Sequence, residues 1–308
     1  MQGANIFIVV VFILKGGNLV DWLDNMNVAI EYIETHLADE ISYDRAAQIA
    51  CCSTYHFQRM FSYITGVPLS EYIRRRRLTL AAFELQTGNC KVIDTAMKYG
   101  YESPEAFSRA FKKLHGVMPV SARDIGVSLK AYPKMTFHIT IKGDVEMNYR
   151  IEQREAFEVF GVYGTVGSNM EKAFTDVSEF VTKELEKGTW DSFNDLLGRP
   201  HDTWYHAALF GHTDTTFKYM ICYYTPPGLE IPESYTRLSV QAQTWAIFPA
   251  ADGPNNKMHD IWRRIYSEWF PTSEYEQAEA PSFEMYYGYG RGDSGNGVSE
   301  IWIPIKKK

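Results

Sequence analysis

Apolar residues settle into a helical rhythm from Asp21, where Met26, Ile30, Ile33 and Leu37 recur every three or four positions with Glu31 and Glu34 between them. Ser42 is a candidate N-cap for a second, shorter helix over 43–50, lined by the small residues Ala46, Ala47 and Ala50. Ser53 caps a third, running to about residue 63, whose Phe57, Met60, Phe61 and Ile64 form one apolar stripe. Short helix, tight turn and second helix make a helix-turn-helix. Gly66-Val67-Pro68 stops the third helix, and a longer one follows over 69–86, with Tyr72, Ile73, Leu80 and Phe83 as expected core positions. The arrangement then recurs. Residues 92–99 read as a short helix, Gly100-Tyr101-Glu102 as the turn, and Ser103-Pro104 opens an amphipathic helix to about residue 114, with Pro104 at the first helical position. STYHFQRMFSYITGVP and SPEAFSRAFKKLHGVMP align as internal repeats of the pattern S-x-x-x-F-x-R-x-F.

Past Lys130 the period shortens to two. Residues 149–152, 159–163, 205–210 and 217–224 read as strands around a helix at 171–186. A similar order follows: strands at 238–243 and 245–248, a helix at 257–269, then strands at 282–287 and 301–305. The pattern predicts two domains, an all-α double helix-turn-helix followed by an α+β, pseudo-symmetric domain of two ββαββ repeats. The expected boundaries are an apolar extension at 1–20, the helical domain at 21–125, a linker at 126–144 and the α+β domain at 145–308.

Composition agrees with a globular chain of this size: 308 residues suit two domains, and the 22% of charged residues is too few for a disordered polyelectrolyte. Cys51, Cys52, Cys90 and Cys222 lack C-x-x-C or Cys/His spacing, so no metal site is expected and a reducing, cytoplasmic location is. The formal net charge of −7 hides an asymmetry. Residues 45–123 hold twelve Lys/Arg against five Asp/Glu, whereas 126–308 hold eighteen against twenty-five. One segment suits a polyanion and the other does not. The apolar run IFIVVVFIL at 6–14 is too short to span a membrane, follows no basic residue and precedes no small-residue cleavage site. It is expected to be an extension without functional weight, and no membrane partner is expected.

Reading duplex DNA with a helix needs donors near its N-terminal half and cations for the flanking phosphates. In the first repeat Tyr55, Gln58 and Arg59 lie opposite the apolar stripe; Gln suits adenine and Arg suits guanine. In the second, Glu105, Ser108 and Arg109 take the equivalent face, with Lys112 and Lys113 one turn later. The same residues would serve as the ordinary solvated face of a single helix, but duplication favours the reading role, with Arg59 and Arg109 as the leading base contacts. Four consecutive arginines, Arg74 to Arg77, fan right around their helix, so one or two, represented by Arg75 and Arg76, are expected to meet phosphate while others pair with acids such as Glu71.

On these residues the segment 46–123 resembles the AraC/XylS family of bacterial transcription regulators. ISYDRAAQIACCSTYHFQRMFSYITGVPLSEYIRRRRL and IDTAMKYGYESPEAFSRAFKKLHGVMPVSAR carry the likeness, and the first reader helix is most similar to those of Rob-like multidrug and stress regulators. The resemblance implies double-stranded promoter DNA as a partner, RNA polymerase as another, and base-facing positions for Tyr55, Gln58 and Arg59, then Glu105, Ala106 and Arg109. Ala122 stands where the family usually has an aromatic residue before its closing arginine.

The α+β half resembles the GyrI-like effector-binding domains through NYRIEQREAFEVFGVYG, FEMYYGYG and SEIWIPIKK. That likeness implies a cleft lined by aromatic residues, with a carboxylate for cationic ligands. Tyr163, Trp204, Tyr223, Trp245 and Trp262 are candidate lining residues, with Tyr286 and Trp302 from the last strands. Glu284 sits in the otherwise apolar and aromatic FEMYY, where a carboxylate between rings suits a lipophilic cation; Glu300 is the second candidate. Packing of the aromatics as core, and a solvated place for Glu284, are the plain alternatives. No cofactor, no catalytic residue and no enzyme activity are expected. Two other readings stay open: a GyrI-like hydrolase acting on a small hydrophobic substrate, and a domain that binds a protein. Gly290 to Gly295 fits G-x-G-x-x-G, yet a strand follows it, so it reads as a hairpin loop.

Overall fold

The computed structural model describes residues 19–88, 90–138, 146–199, 205–250, 257–287 and 298–308. The helical half comprises α1 (Leu19–Thr35), α2 (Tyr43–Ile49), α3 (Thr54–Thr65), α4 (Leu69–Thr87), α5 (Val92–Lys98) and α6 (Pro104–His115). Three of these starts rest on serine caps, the hydroxyls of Ser42, Ser53 and Ser103 accepting from the N–H of Arg45, His56 and Ala106. Both repeats end alike, on glycines in the left-handed conformation, Gly66 at φ 75° and Gly116 at φ 84°.

The helix α4 joins the two motifs and divides its buried positions between two cores. Leu69, Tyr72 and Ile73 pack with the first motif; Leu78, Ala81, Ala82 and Leu85 pack with the second. Phe83, expected in the core, lies on the side of α4 opposite Leu78, Ala81, Ala82 and Leu85 and is 50% exposed. Ala122 is buried in a 3-10 turn at Pro119–Arg123, where its small side chain packs into the second motif's core. The following segment is tied down: Asn27 exchanges two hydrogen bonds with the backbone of Phe137, at 2.8 and 3.1 Å, and Tyr72 Oη accepts from Met135 N.

The second half has the predicted two-fold repetition. Its elements are β1 (Arg150–Arg154), β2 (Phe157–Gly167), α7 (Met170–Glu186), α8 (Thr189–Leu197), β3 (His206–Phe210) and β4 (Thr216–Tyr224), then β5 (Thr236–Val240), β6 (Gln243–Ala250), α9 (Lys257–Arg264), β7 (Tyr275–Gln277), β8 (Ser282–Tyr287) and β9 (Val298–Lys307). All pairings are antiparallel and the sheet runs β1-β6-β9-β8-β3-β4-β2-β5, with β7 added beside β9. The two repeats meet at β3 and β8, where Ala207 lies opposite Glu284. Two elements absent from the sequence reading, α8 and β7, are short and lack a long periodic signal.

Strand alternation separates two faces. Leu209, Tyr219, Ile221, Phe248, Ile301 and Ile303 face the helices, in a cluster that continues without a break into Met26, Ile30, Phe57 and Phe61 of α1 and α3. Val159, Met220, Trp245, Phe283 and Trp302 form a separate cluster on the opposite face. The first helix-turn-helix thus shares its core with the α+β half, while the second keeps its own.

Candidate ligand site and DNA-reading surface

A cavity of about 530 Å³ lies where α3 meets α7, α9 and the strands β3, β4 and β8. That size is in the range of small-molecule sites. On β8 the alternation turns Phe283 and Met285 to the far face and leaves Glu284 and Tyr286 on the cavity side. Glu284 is 9% exposed and accepts three hydrogen bonds, from Trp262 Nε1 at 2.9 Å, Tyr286 Oη at 3.0 Å and Tyr219 Oη at 3.2 Å. Burial pushes its carboxyl above the ordinary range, against the pull of those three donors. Among the described residues no Lys, Arg or His pairs with it.

The wall facing Glu284 is aromatic. The helix α9 continues into a π-helical turn at Ile265–Trp269, a widening often found where helices serve a site. Tyr63 of α3 stacks on Tyr266 at 4.1 Å between ring centroids and on Trp262 at 5.7 Å. Beside them Arg59 is 9% exposed, its Nε donating to Tyr266 Oη at 3.2 Å and Gln277 Oε1 at 3.0 Å, and its Nη2 to Tyr63 Oη at 3.2 Å. Its Nη1 lies 2.6 Å from His212 Nδ1. Since the guanidinium only donates, His212 Nδ1 accepts and its proton sits on Nε2, which is buried without a hydrogen-bond partner among the described residues. Burial and the neighbouring Arg59 charge both hold His212 neutral. Burial opposes the charge of Arg59 while the surrounding tyrosine oxygens favour it, and the guanidinium stays protonated.

Of the expected lining residues, Trp262, Glu284 and Tyr286 come together here. Others are corrected by strand alternation. Trp245 and Trp302 belong to the opposite face, and Glu300 is held there by Trp302 Nε1 at 2.8 Å and Arg150 Nη1 at 2.7 Å. Tyr163 is 40% exposed beside Phe210 and Lys218, and does not reach the cavity. Tyr223 is on the helix side but at the far end, under the Arg199 guanidinium at 4.0 Å. Trp204 lies outside the described residues, as does the glycine-rich loop. Tyr219 was readable from alternation along β4, two residues from Ile221; Tyr63, Tyr266, Gln277 and His212 gave no signal, because they meet only through the docking of the two halves.

The two helices expected to read DNA differ in exposure. On α6, Glu105, Arg109, Lys112 and Lys113 are exposed and Ala106 is half-buried. On α3, Tyr55, Gln58 and Arg59 turn toward the α+β half, Gln58 donating to Asp214. The arginine run of α4 is engaged within the chain. Arg74 and Arg75 share Glu71 at 2.8 and 2.6 Å, Arg76 pairs with Glu34 at 2.7 Å and Arg77 donates to Leu37 O at 2.9 Å. Arg76 is 8% exposed, so the expectation that it meets phosphate gives way to a structural tie between α4 and α1. Arg75 is half-buried against the Tyr132 ring.

Residues 147–306 match the GyrI-like small molecule binding domain, and 46–124 match a helix-turn-helix domain. The chain belongs to the AraC-type helix-turn-helix proteins and carries a GyrI-like domain. This AraC-type, GyrI-like chain is 47% identical over 88 residues to the HTH-type transcriptional activator AarP of Providencia stuartii, covering 29% of this chain and 65% of AarP. It is 43% identical over 84 residues to the regulatory protein SoxS of Salmonella typhimurium, 27% of this chain and 78% of SoxS. Against the right origin-binding protein of Escherichia coli the identity is 38% over 92 residues, 30% of this chain and 32% of that one. The chain thus spans from about a third to about two thirds of the length of AarP and the right origin-binding protein. Among solved structures, SAV2435 bound to tetraphenylphosphonium aligns with a TM-score of 0.43 at 19% identity, over 52% of this chain and 94% of that one. Among the described residues no helix is long and apolar enough to cross a membrane.

Proposed function

We propose that the chain is a ligand-responsive transcription regulator whose GyrI-like half binds an aromatic, cationic small molecule and whose helix-turn-helix half binds promoter DNA. The observation that carries the ligand class is Glu284, a buried carboxylate with three neutral donors and, among the described residues, no cation paired with it, at the base of an aromatic cavity. A lipophilic cation satisfies both halves of that arrangement, pairing with the carboxylate while its apolar body replaces water against Trp262 and Phe174. Arg109, Lys112 and Lys113 on α6, with Tyr55, Gln58 and Arg59 on α3, are the proposed DNA contacts, and RNA polymerase is the proposed protein partner. The curated relatives, named as regulators, support a binding role over a catalytic one.

The test compares methyltriphenylphosphonium with neutral triphenylphosphine oxide, which carries the same three rings, by calorimetry on the full chain. The cation is expected to bind, and Glu284→Gln to weaken it by about tenfold or more while leaving the neutral compound unchanged. Equal weakening of both compounds would remove Glu284 from the reading. Consumption of an ester probe, with no DNA fragment retained, would favour the hydrolase.

A further inference from the structure

The cavity holds a cation of its own. Arg59 is ringed by Tyr63, Tyr266 and Tyr55, its Cζ at 5.1, 5.8 and 5.9 Å from the ring centroids, and its hydrogen bonds all go to neutral groups. Aromatic faces around a cation are how a protein receives an organic ammonium or phosphonium. Here the cation comes from the reading face of α3. Along that helix further ties fix it to the GyrI-like half. Glu276 Oε2 accepts from Ser53 N at 2.7 Å, His56 Nδ1 accepts from Gln277 N at 3.1 Å, Ser62 Oγ donates to Ser168 O at 3.3 Å and Asn169 Nδ2 donates to Gly66 O at 3.0 Å. These bonds engage the helix from cap to cap, so it cannot enter a major groove while they persist, whereas α6 stays open.

We infer that the GyrI-like half holds α3 as an internal ligand, with Arg59 in the same cavity as the effector cation, and that a cation bound against Glu284 expels it and frees the first reader helix. The inference rests on the proposed cation site. Two like charges sharing one cavity, shielded from water, repel strongly. Arg59 has no carboxylate of its own among the described residues to hold it there, whereas Glu284 gains a partner when the ligand arrives. A ligand of the same shape without charge lacks this leverage, because it does not distinguish the closed from the open state electrostatically. Linkage then requires that DNA bound to α3 tighten the cation by the same factor as the cation tightens DNA.

The experiment is amide hydrogen exchange over residues 54–65 in the unmutated full chain, alone and saturated with methyltriphenylphosphonium or triphenylphosphine oxide. Exchange in this segment is expected to speed up about tenfold with the cation and to stay unchanged with the neutral compound. In parallel, Arg59→Gln removes the internal cation and is expected to tighten methyltriphenylphosphonium about tenfold. Cation binding that is lost in Glu284→Gln, yet leaves exchange over 54–65 unchanged, overturns this inference and leaves the proposed function standing. Equal acceleration by both compounds, or unchanged or weaker cation binding in Arg59→Gln, also overturns it. Failure of the cation to bind the unmutated chain overturns the cation site and this inference with it.

Discussion

At the scale of single residues, Cys51 departs from its surroundings. It has φ 54°, and Gly100 occupies the same place in the second motif at φ 78°, two residues past the end of the first helix. Both turns close alike, with Cys52 N donating to Ala47 O at 3.1 Å and Tyr101 N to Ala96 O at 3.0 Å. A side chain in this conformation costs about 1 kcal/mol or more. Cys51→Gly should therefore stabilise the chain by about 0.5–1 kcal/mol after the added backbone entropy of the unfolded state, read as a higher urea midpoint. His56 gives a second expectation. Burial lowers its pKa from 6.5 to about 3, and its Nδ1 accepts the Gln277 N–H, which an imidazolium cannot do. With the folded value depressed, its contribution is fully present above pH 6.5 and is lost as the pH falls toward about 3. Lowering the pH from 7 to 5 should cost about 2 kcal/mol of unfolding free energy from this group. His56→Gln should flatten that slope in urea titrations.

At the scale of elements, the helices were the most legible part of the chain because α3 and α6 carry their own start and stop: a serine cap, an apolar stripe, then glycine and proline. The repeated pattern S-x-x-x-F-x-R-x-F located α3 and α6 as an equivalent pair of helices, but the same polar residues acquire different surroundings in the two copies. On α6 the exposed Arg109 is expected to contribute about 1–3 kcal/mol at a specific site, so Arg109→Ala should lose that amount against the fragment retained by genome-fragment selection. Lys112→Ala should instead weaken all sequences alike and reduce the salt slope by about one, measured by titrations at several salt concentrations. In the sheet, period-two reading placed the strands but not their faces across the molecule. For that reason Glu284 and Glu300, the first and second candidates, ended on opposite sides.

For the whole molecule, charge asymmetry and the change of period showed two halves, and nothing in either pattern disclosed how they dock. A polar face made of Gln58 and Arg59 satisfies a groove of DNA or a cavity of tyrosines with the same donors, so sequence chemistry alone does not choose between them. The buried clusters divide the chain at the middle of α4 and not at the linker. Subglobal opening should follow that division. Native-state hydrogen exchange in low denaturant should show the slow amides of α1 and α3 opening with the sheet, and those of α5 and α6 opening in a separate, lower-energy step.

The order β1-β6-β9-β8-β3-β4-β2-β5 reads the same from either end once repeats are matched: β1, which opens the first repeat, pairs with β6 of the second, and β5, which opens the second, pairs with β2 of the first. Each repeat therefore completes its twin. A single repeat made as a free polypeptide would leave its leading strand without a home and its own sheet edge bare. Two such polypeptides could exchange leading strands and rebuild the whole as a domain-swapped homodimer.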